Sequence, residues 1–215
     1  TSLAYVSHPL VFEIVGTAEK TWMQWVVSEN DEAQLRQQMQ AHFPQAKLSK
    51  PTDTLAEMLQ DTDEMAVVEF GLGEVFMLPL ASVKNDPFVT LVGALASLAE
   101  GEIGLYQVIF VPLSEPWAES SLAAITKQDG QPFFDDGGPM VKAAQQKTCG
   151  MLYGVVVRLA AAGSSYERAW RIVSGMAPAL RHFSLTNGNH FMPLHNHDYD
   201  PKDHLMDVVS RQTCR

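Results

Sequence analysis

Apolar and polar positions along the chain alternate between the period of strands and the period of helices. Trp22-Met23-Gln24-Trp25-Val26-Val27 carries the aromatic and β-branched residues of a strand. Ser28-Glu29-Asn30-Asp31-Glu32 then offers a cap and first-turn acids, and Leu35, Met39 and Phe43 recur at helical spacing before Pro44 stops the run. Residues 46–49 read as a short strand, 54–59 as a short helix and 65–70 as the next strand. The turn Gly71-Leu72-Gly73 separates that strand from residues 74–80, read as a further strand.

Asp86-Pro87 is the clearest helix start, because an Asp caps free amides and Pro fits the first helical position. Phe88, Leu91, Val92, Leu95, Leu98 and Ala99 form one stripe after it, and Gly101 supplies the stop. Residues 105–111 are a strand too apolar on both faces to be a solvated edge. From 113 to 149 Pro and Gly interrupt a polar stretch holding one helical segment, 117–126, which reads as a long insertion. Residues 151–159 resume the sheet. Ser164-Ser165-Tyr166-Glu167 has capping-box spacing ahead of a helix, and Pro178 lies inside that helix, where it should bend it.

The order over 74–194 is strand, helix, strand, insertion, strand, helix, strand, that of the ferredoxin-like split β-α-β fold. Two helices then cover one face of a sheet. The expected class is α+β, in ferredoxin-like layers that are tandem or extended. It divides into a partial β-α-β subdomain at 1–70, a ferredoxin-like subdomain at 71–194, and a polar tail or linker at 195–215.

Charge narrows the functions on offer. Lys and Arg number 15 against 25 Asp and Glu, a formal charge of −10 that repels phosphate backbones and disfavours direct nucleic-acid binding. The two cysteines, Cys149 and Cys214, lack the close spacing of a redox or zinc motif, so a reducing, cytoplasmic setting is expected. No apolar run reaches the ~20 residues that a membrane-spanning helix needs. The chain starts without Met and ends at Arg215, which reads as a piece of something longer.

The densest candidate chemistry is the tail, where His190, His195, His197, Asp198, Asp200, Asp203 and His204 fall close together. Imidazole with carboxylate suits zinc or another first-row metal, and His195, His197, Asp200 and His204 are the ligand set to consider. Their spacing matches no established pattern, and the same residue types build turns. Asp135-Asp136-Gly137-Gly138 reads as a turn, not a calcium loop. Gly71-Leu72-Gly73 lacks the third Gly of a dinucleotide fingerprint, and the chain has no Gly-Lys-Ser or Gly-Lys-Thr to cradle a phosphate. No catalytic residue and no cofactor is assigned to the chain.

Asp86-Pro87-Phe88-Val89-Thr90-Leu91-Val92-Gly93-Ala94-Leu95, the stretch 101–112 and Trp117 resemble the N-terminal region of HerA/FtsK-type and type IV secretion coupling ATPases. Residues 151–161, 166–183, Asn189 and 199–215 resemble the part that precedes their ATPase domain. The resemblance implies a non-catalytic assembly or partner-binding region of a hexameric, ATP-driven DNA or protein translocase. ATP and Mg²⁺ then belong to a separate domain, and Walker residues, Mg²⁺ ligands and arginine fingers carry over to no position here. It also implies a homo-oligomer with a protein partner. Two alternatives stand beside it, a metal-dependent enzyme using the His/Asp tail and a stand-alone protein-binding adaptor.

Overall fold

The computed structural model describes residues 9–50, 55–60, 64–83, 86–112, 117–127, 129–133, 137–150, 152–195 and 199–213. In chain order the elements are β1 (Leu10–Gly16), β2 (Thr21–Val26), α1 (Glu29–His42), α2 (Leu55–Gln60), β3 (Met65–Leu72), α3 (Pro87–Leu95) and β4 (Ile103–Pro112). There follow α4 (Trp117–Ala123), α5 (Gly138–Thr148), β5 (Tyr153–Ala162), α6 (Tyr166–Met176), a 3-10 helix (Ala177–Phe183), β6 (Phe191–Pro193) and α7 (Pro201–Ser210).

The six strands form one sheet in the order β2-β1-β4-β5-β3-β6, with every neighbouring pair antiparallel. The segment β3-α3-β4-β5-α6-β6 is the ferredoxin-like split β-α-β unit, with β3 and β5 central. The fold class is the expected α+β one, in its extended form: the β1–β2 hairpin adds two strands to the free side of β4. Its turn closes through Thr17 N–H donating to Lys20 O at 2.9 Å.

Local chemistry explains most boundaries. Asp86 accepts from Phe88 N–H at 2.9 Å with Pro87 in the first turn, as the Asp-Pro start predicts. The stripe in α3 ends at Leu95, and Gly101 takes a φ of 79° in the turn that follows. Ser165 caps α6 by accepting from Arg168 N–H at 3.2 Å. At Pro178, which has no N–H for the α-helical ladder, the helix tightens into the 3-10 turn. The expected bend is thus a change of helix type.

Helices cover both faces. On one face α3, α6 and the 3-10 helix lay Leu91, Leu95, Ile172, Val173, Met176 and Leu180 over Ile14, Tyr106, Val108, Val157 and Leu159. On the other, α2 and α7 bring Leu55, Leu59 and Val208 against Val15, Leu105, Ala160 and Ala162. Leu95 fits a notch made by the cross-strand pair Gly16 and Gly104, where an added Cβ would lie 2.8 and 2.4 Å from its atoms.

Several expectations are corrected. Residues 46–49 form no strand. Residues 74–80 are an irregular loop, because the buried Asn189 side chain donates to the carbonyls of Glu74, Val75 and Leu78 and accepts from Glu74 N–H. The first strand of the split unit is therefore β3. The strand β1 went unread, and the insertion holds a second helix, α5, which packs Val141 and Ala144 against Ile125. Strand β3 spans residue 70, and β1 and β2 lie in the same sheet as the strands after it. The tail contains α7, whose His204 and Val208 are buried.

Candidate functional site

Each of β2, β1, β4, β5 and β3 carries one long polar residue at the same level of the sheet. The pairs Gln24–Glu13, Glu13–Gln107, Gln107–Arg158 and Arg158–Glu69 are direct cross-strand partners, so all five share the α7 face. They form a hydrogen-bonded row. Gln24 Nε2 donates to Glu13 Oε2 at 2.6 Å and Gln107 Nε2 to Glu13 Oε1 at 2.8 Å. Arg158 Nη1 donates to Gln107 Oε1 at 3.3 Å and its Nε to Glu69 Oε2 at 3.0 Å.

Helix α7 closes the row from above. Gln107 Nε2 donates to Val208 O at 2.9 Å and Arg158 Nη1 to Asp207 O at 3.3 Å, so two sheet side chains reach carbonyls near the negative end of the helix. Arg211 ends α7 in the left-handed region, φ 55° and ψ 43°. Its N–H donates to Val208 O and that of Gln212 to Asp207 O, a Schellman close. Gly is the usual residue there. Arg is present because its guanidinium turns back onto Glu13, Nε to Oε1 at 2.9 Å and Nη2 to Oε2 at 3.1 Å.

The result is two carboxylates and two guanidiniums in a water-poor layer, with both Glu13 oxygens doubly engaged. Such a network holds α7 in one position. Both Glu13 oxygens are thus taken up by donors of the chain itself.

Three of the four proposed metal ligands, His195, Asp200 and His204, are among the described residues. His195 is exposed. Asp200 caps α7, its Oδ1 accepting from Lys202 N–H at 2.8 Å. His204 is buried, with Nε2 4.0 Å from Glu69 Oε2 and its ring edge-on to Tyr199. His197 lies outside the described residues, as do Asp198, Asp135, Asp136 and Cys214. Among the described residues no group of three or more His, Cys, Asp or Glu could hold a metal ion.

Two further polar sites brace the helices. Arg168 grips Glu102 with both arms, at 2.6 Å each, and Ala99 N–H donates to the same carboxylate at 2.8 Å. The guanidinium bonds hold the Glu102 carboxyl below its usual range, against the opposing effect of burial. Lys147 on α5 donates to Phe76 O and Leu78 O, and burial pushes its ammonium below the ordinary lysine value. Burial likewise raises the Tyr106 phenol to about 12.

The opposite face looks different where β1 and β2 extend beyond α3. Phe12 packs on Trp25, ring centroids 4.7 Å apart, and on Phe88 at 5.7 Å, but the three rings are only half-buried. Met23 beside them is 55% exposed and Val89 on α3 is 70% exposed. The two tryptophans of β2 lie on opposite faces, as a spacing of three along a strand implies: Trp22 packs with the α7-side core, Trp25 with Phe12 on the other side.

Sequence reasoning missed the polar row. A signal was present, since Glu13, Gln107, Arg158 and Glu69 each stand almost alone among apolar strand residues. Nothing in a sequence without an alignment places those residues in one register. The exposed pair of Phe76 in the 74–80 loop and Trp117 in the insertion, in edge contact at 5.7 Å, was equally illegible.

A family model described as a domain of unknown function, DUF8128, matches residues 2–131. Comparison with curated proteins and with solved structures gives no match. Among the described residues no helix is long and apolar enough to cross a membrane.

Proposed function

The chain belongs to the DUF8128 family, and we propose that it is a non-catalytic assembly or partner-binding region of a hexameric, ATP-driven DNA or protein translocase of HerA/FtsK type. One observation carries the reading: the charge-free apolar surface of Phe12, Met23, Trp25 and Val89, left open in an acidic chain of net charge −10. Contiguous exposed apolar surface of this kind marks contact with another protein. The charged chemistry supports the same division of labour, because the Glu13–Arg158–Glu69 row is consumed in holding α7.

The stretches that resemble the coupling ATPases fall on α3, β4, the start of α4, β5, α6 with its 3-10 turn, and α7, and α3 borders the open surface. In this reading ATP and Mg²⁺ are bound by a separate nucleotide-binding domain on the cytoplasmic side, and this chain contacts neighbouring subunits or a protein partner.

Purified chain incubated with ATP and Mg²⁺ is expected to release phosphate at the rate of buffer alone. Turnover that follows the protein through every purification step overturns the proposal. The reading frame beyond Arg215 is expected to encode a Gly-x-x-x-x-Gly-Lys-Ser or -Thr loop, and a stop codon there with no such ATPase co-purifying removes the translocase context.

A further inference from the structure

We propose that α1 of one copy docks, through its Leu35-Met39-Phe43 stripe, on the apolar surface that β1, β2 and α3 leave open on a second copy. The inference rests on the assembly reading above and names the surface that performs it.

Both halves of the contact are unfinished in a single chain. Helix α1 has 14 residues and buries none of them. A helix of that length is marginal alone and draws its stability from packing an apolar face. Its stripe recurs at i, i+4 and i+8, and Phe43 at its end is 58% exposed. The acceptor is equally incomplete. Helix α3, Pro-Phe-Val-Thr-Leu-Val-Gly-Ala-Leu, has no charged residue, yet among the described residues only Leu91 and Leu95 are buried. A helix apolar all round belongs inside a protein. An added Cβ at Gly93, on its outer side, would meet nothing within 4 Å, which leaves room for another helix.

The occupant is a second copy for three reasons. Only Val27 and Ser28 join β2 to α1, and in the single chain α1 does not cover Met23, so its own face stays open. The strand β2 ends the sheet, and its six residues, Thr-Trp-Met-Gln-Trp-Val, include none of the Lys, Pro or bulges that usually block an edge. Two copies that meet at this edge bring each α1 beside the other's open face, a self-complementary arrangement. Charge agrees. The acids Glu29 and Asp31 at the head of α1 find opposite charge in exposed Arg181, beside His182, which lies 3.5 Å from Thr90 on α3.

Sedimentation equilibrium of three samples tests this. Wild-type chain at micromolar concentration is expected to show the mass of two or more chains. Met39→Glu in the donor stripe and Val89→Glu in the acceptor each weaken association at least about tenfold, because either buries a charge in an apolar contact. Both positions are at least partly exposed in the single chain, and unchanged circular dichroism confirms that each variant folds. A mixture of the two variants retains one intact contact, from the Val89→Glu copy's α1 onto the Met39→Glu copy's face, and is expected to associate more tightly than either alone. A monomeric wild type, an oligomer indifferent to both substitutions, or a mixture no tighter than its components each overturns the inference. Those outcomes leave the partner-binding proposal standing, which fails instead on ATP turnover.

Discussion

Strand β1 shows two solutions to burial on its two sides. Toward α7 it presents Glu13, fully buried, with Gln24, Gln107 and Arg211 all donating to its carboxylate. Toward α3 it presents Phe12, half-buried between Trp25 and Phe88, with Met23 of β2 exposed beside it. The polar side is complete within one chain, and the apolar side is not. The physics of the two differs in tolerance. A buried charge with a missing partner costs several kcal/mol, so a row of them must be closed by the chain itself, in one register. An apolar face loses only the gain of being covered, so it can stay open until a partner arrives.

The comparison breaks most sharply at Arg158, which is 1% exposed and links Gln107, Glu69 and the end of α7. Arg158→Ala leaves Glu69 buried beside no guanidinium, and a loss of about 3–5 kcal/mol in denaturant unfolding is expected. Removing both charges with Arg158→Met and Glu69→Leu is expected to recover most of it, since apolar replacement of a whole buried pair is often neutral. If the single substitution costs under about 1 kcal/mol, the row does not hold the sheet to α7 as argued.

Arg211 sharpens the same contrast with a smaller effect, because backbone strain opposes the ion pair. An L residue in the left-handed region costs roughly 1–2 kcal/mol that Gly avoids. Arg211→Ala therefore keeps the strain and loses the Glu13 contact, whereas Arg211→Gly loses the contact and relieves the strain. Both should destabilise, Ala more than Gly by about 1 kcal/mol, with faster hydrogen exchange across the last turn of α7. A Gly variant more stable than wild type would mean that the buried contact with Glu13 does not offset the strain.

The same asymmetry decides what could be read from sequence. The ferredoxin-like order, the Asp86-Pro87 start and the effect of Pro178 follow from local rules, because capping, φ restriction and apolar period act within a few residues. The register that aligns Gln24, Glu13, Gln107, Arg158 and Glu69 is a long-range property, and so is the claim of Asn189 on the loop that its own composition makes strand-like. The sequence likewise shows His204 and Asp200 near each other in the tail. It does not show that a helix start takes the carboxylate and the sheet takes the imidazole.

The smallest expected effect separates ordinary ionic bracing from the closed row. Glu102 and Arg168 tie the turn after α3 to α6 on the apolar side, and Arg168 is partly exposed there. The guanidinium bonds keep the Glu102 carboxyl below the ordinary glutamate value, 4.5, in the fold. A group whose pKa is lowered by folding binds fewer protons folded than unfolded as the pH falls. Its contribution is thus present in full above the ordinary value and is lost as the pH drops through the folded one. Glu102→Gln preserves an acceptor for Ala99 N–H but gives up the charge. Unfolding free energies of wild type and variant should accordingly differ by a constant amount at neutral pH and draw together as the pH falls below 4.5. A gap that persists undiminished into that range would place the stabilisation in shape or packing instead of the Arg168 pair.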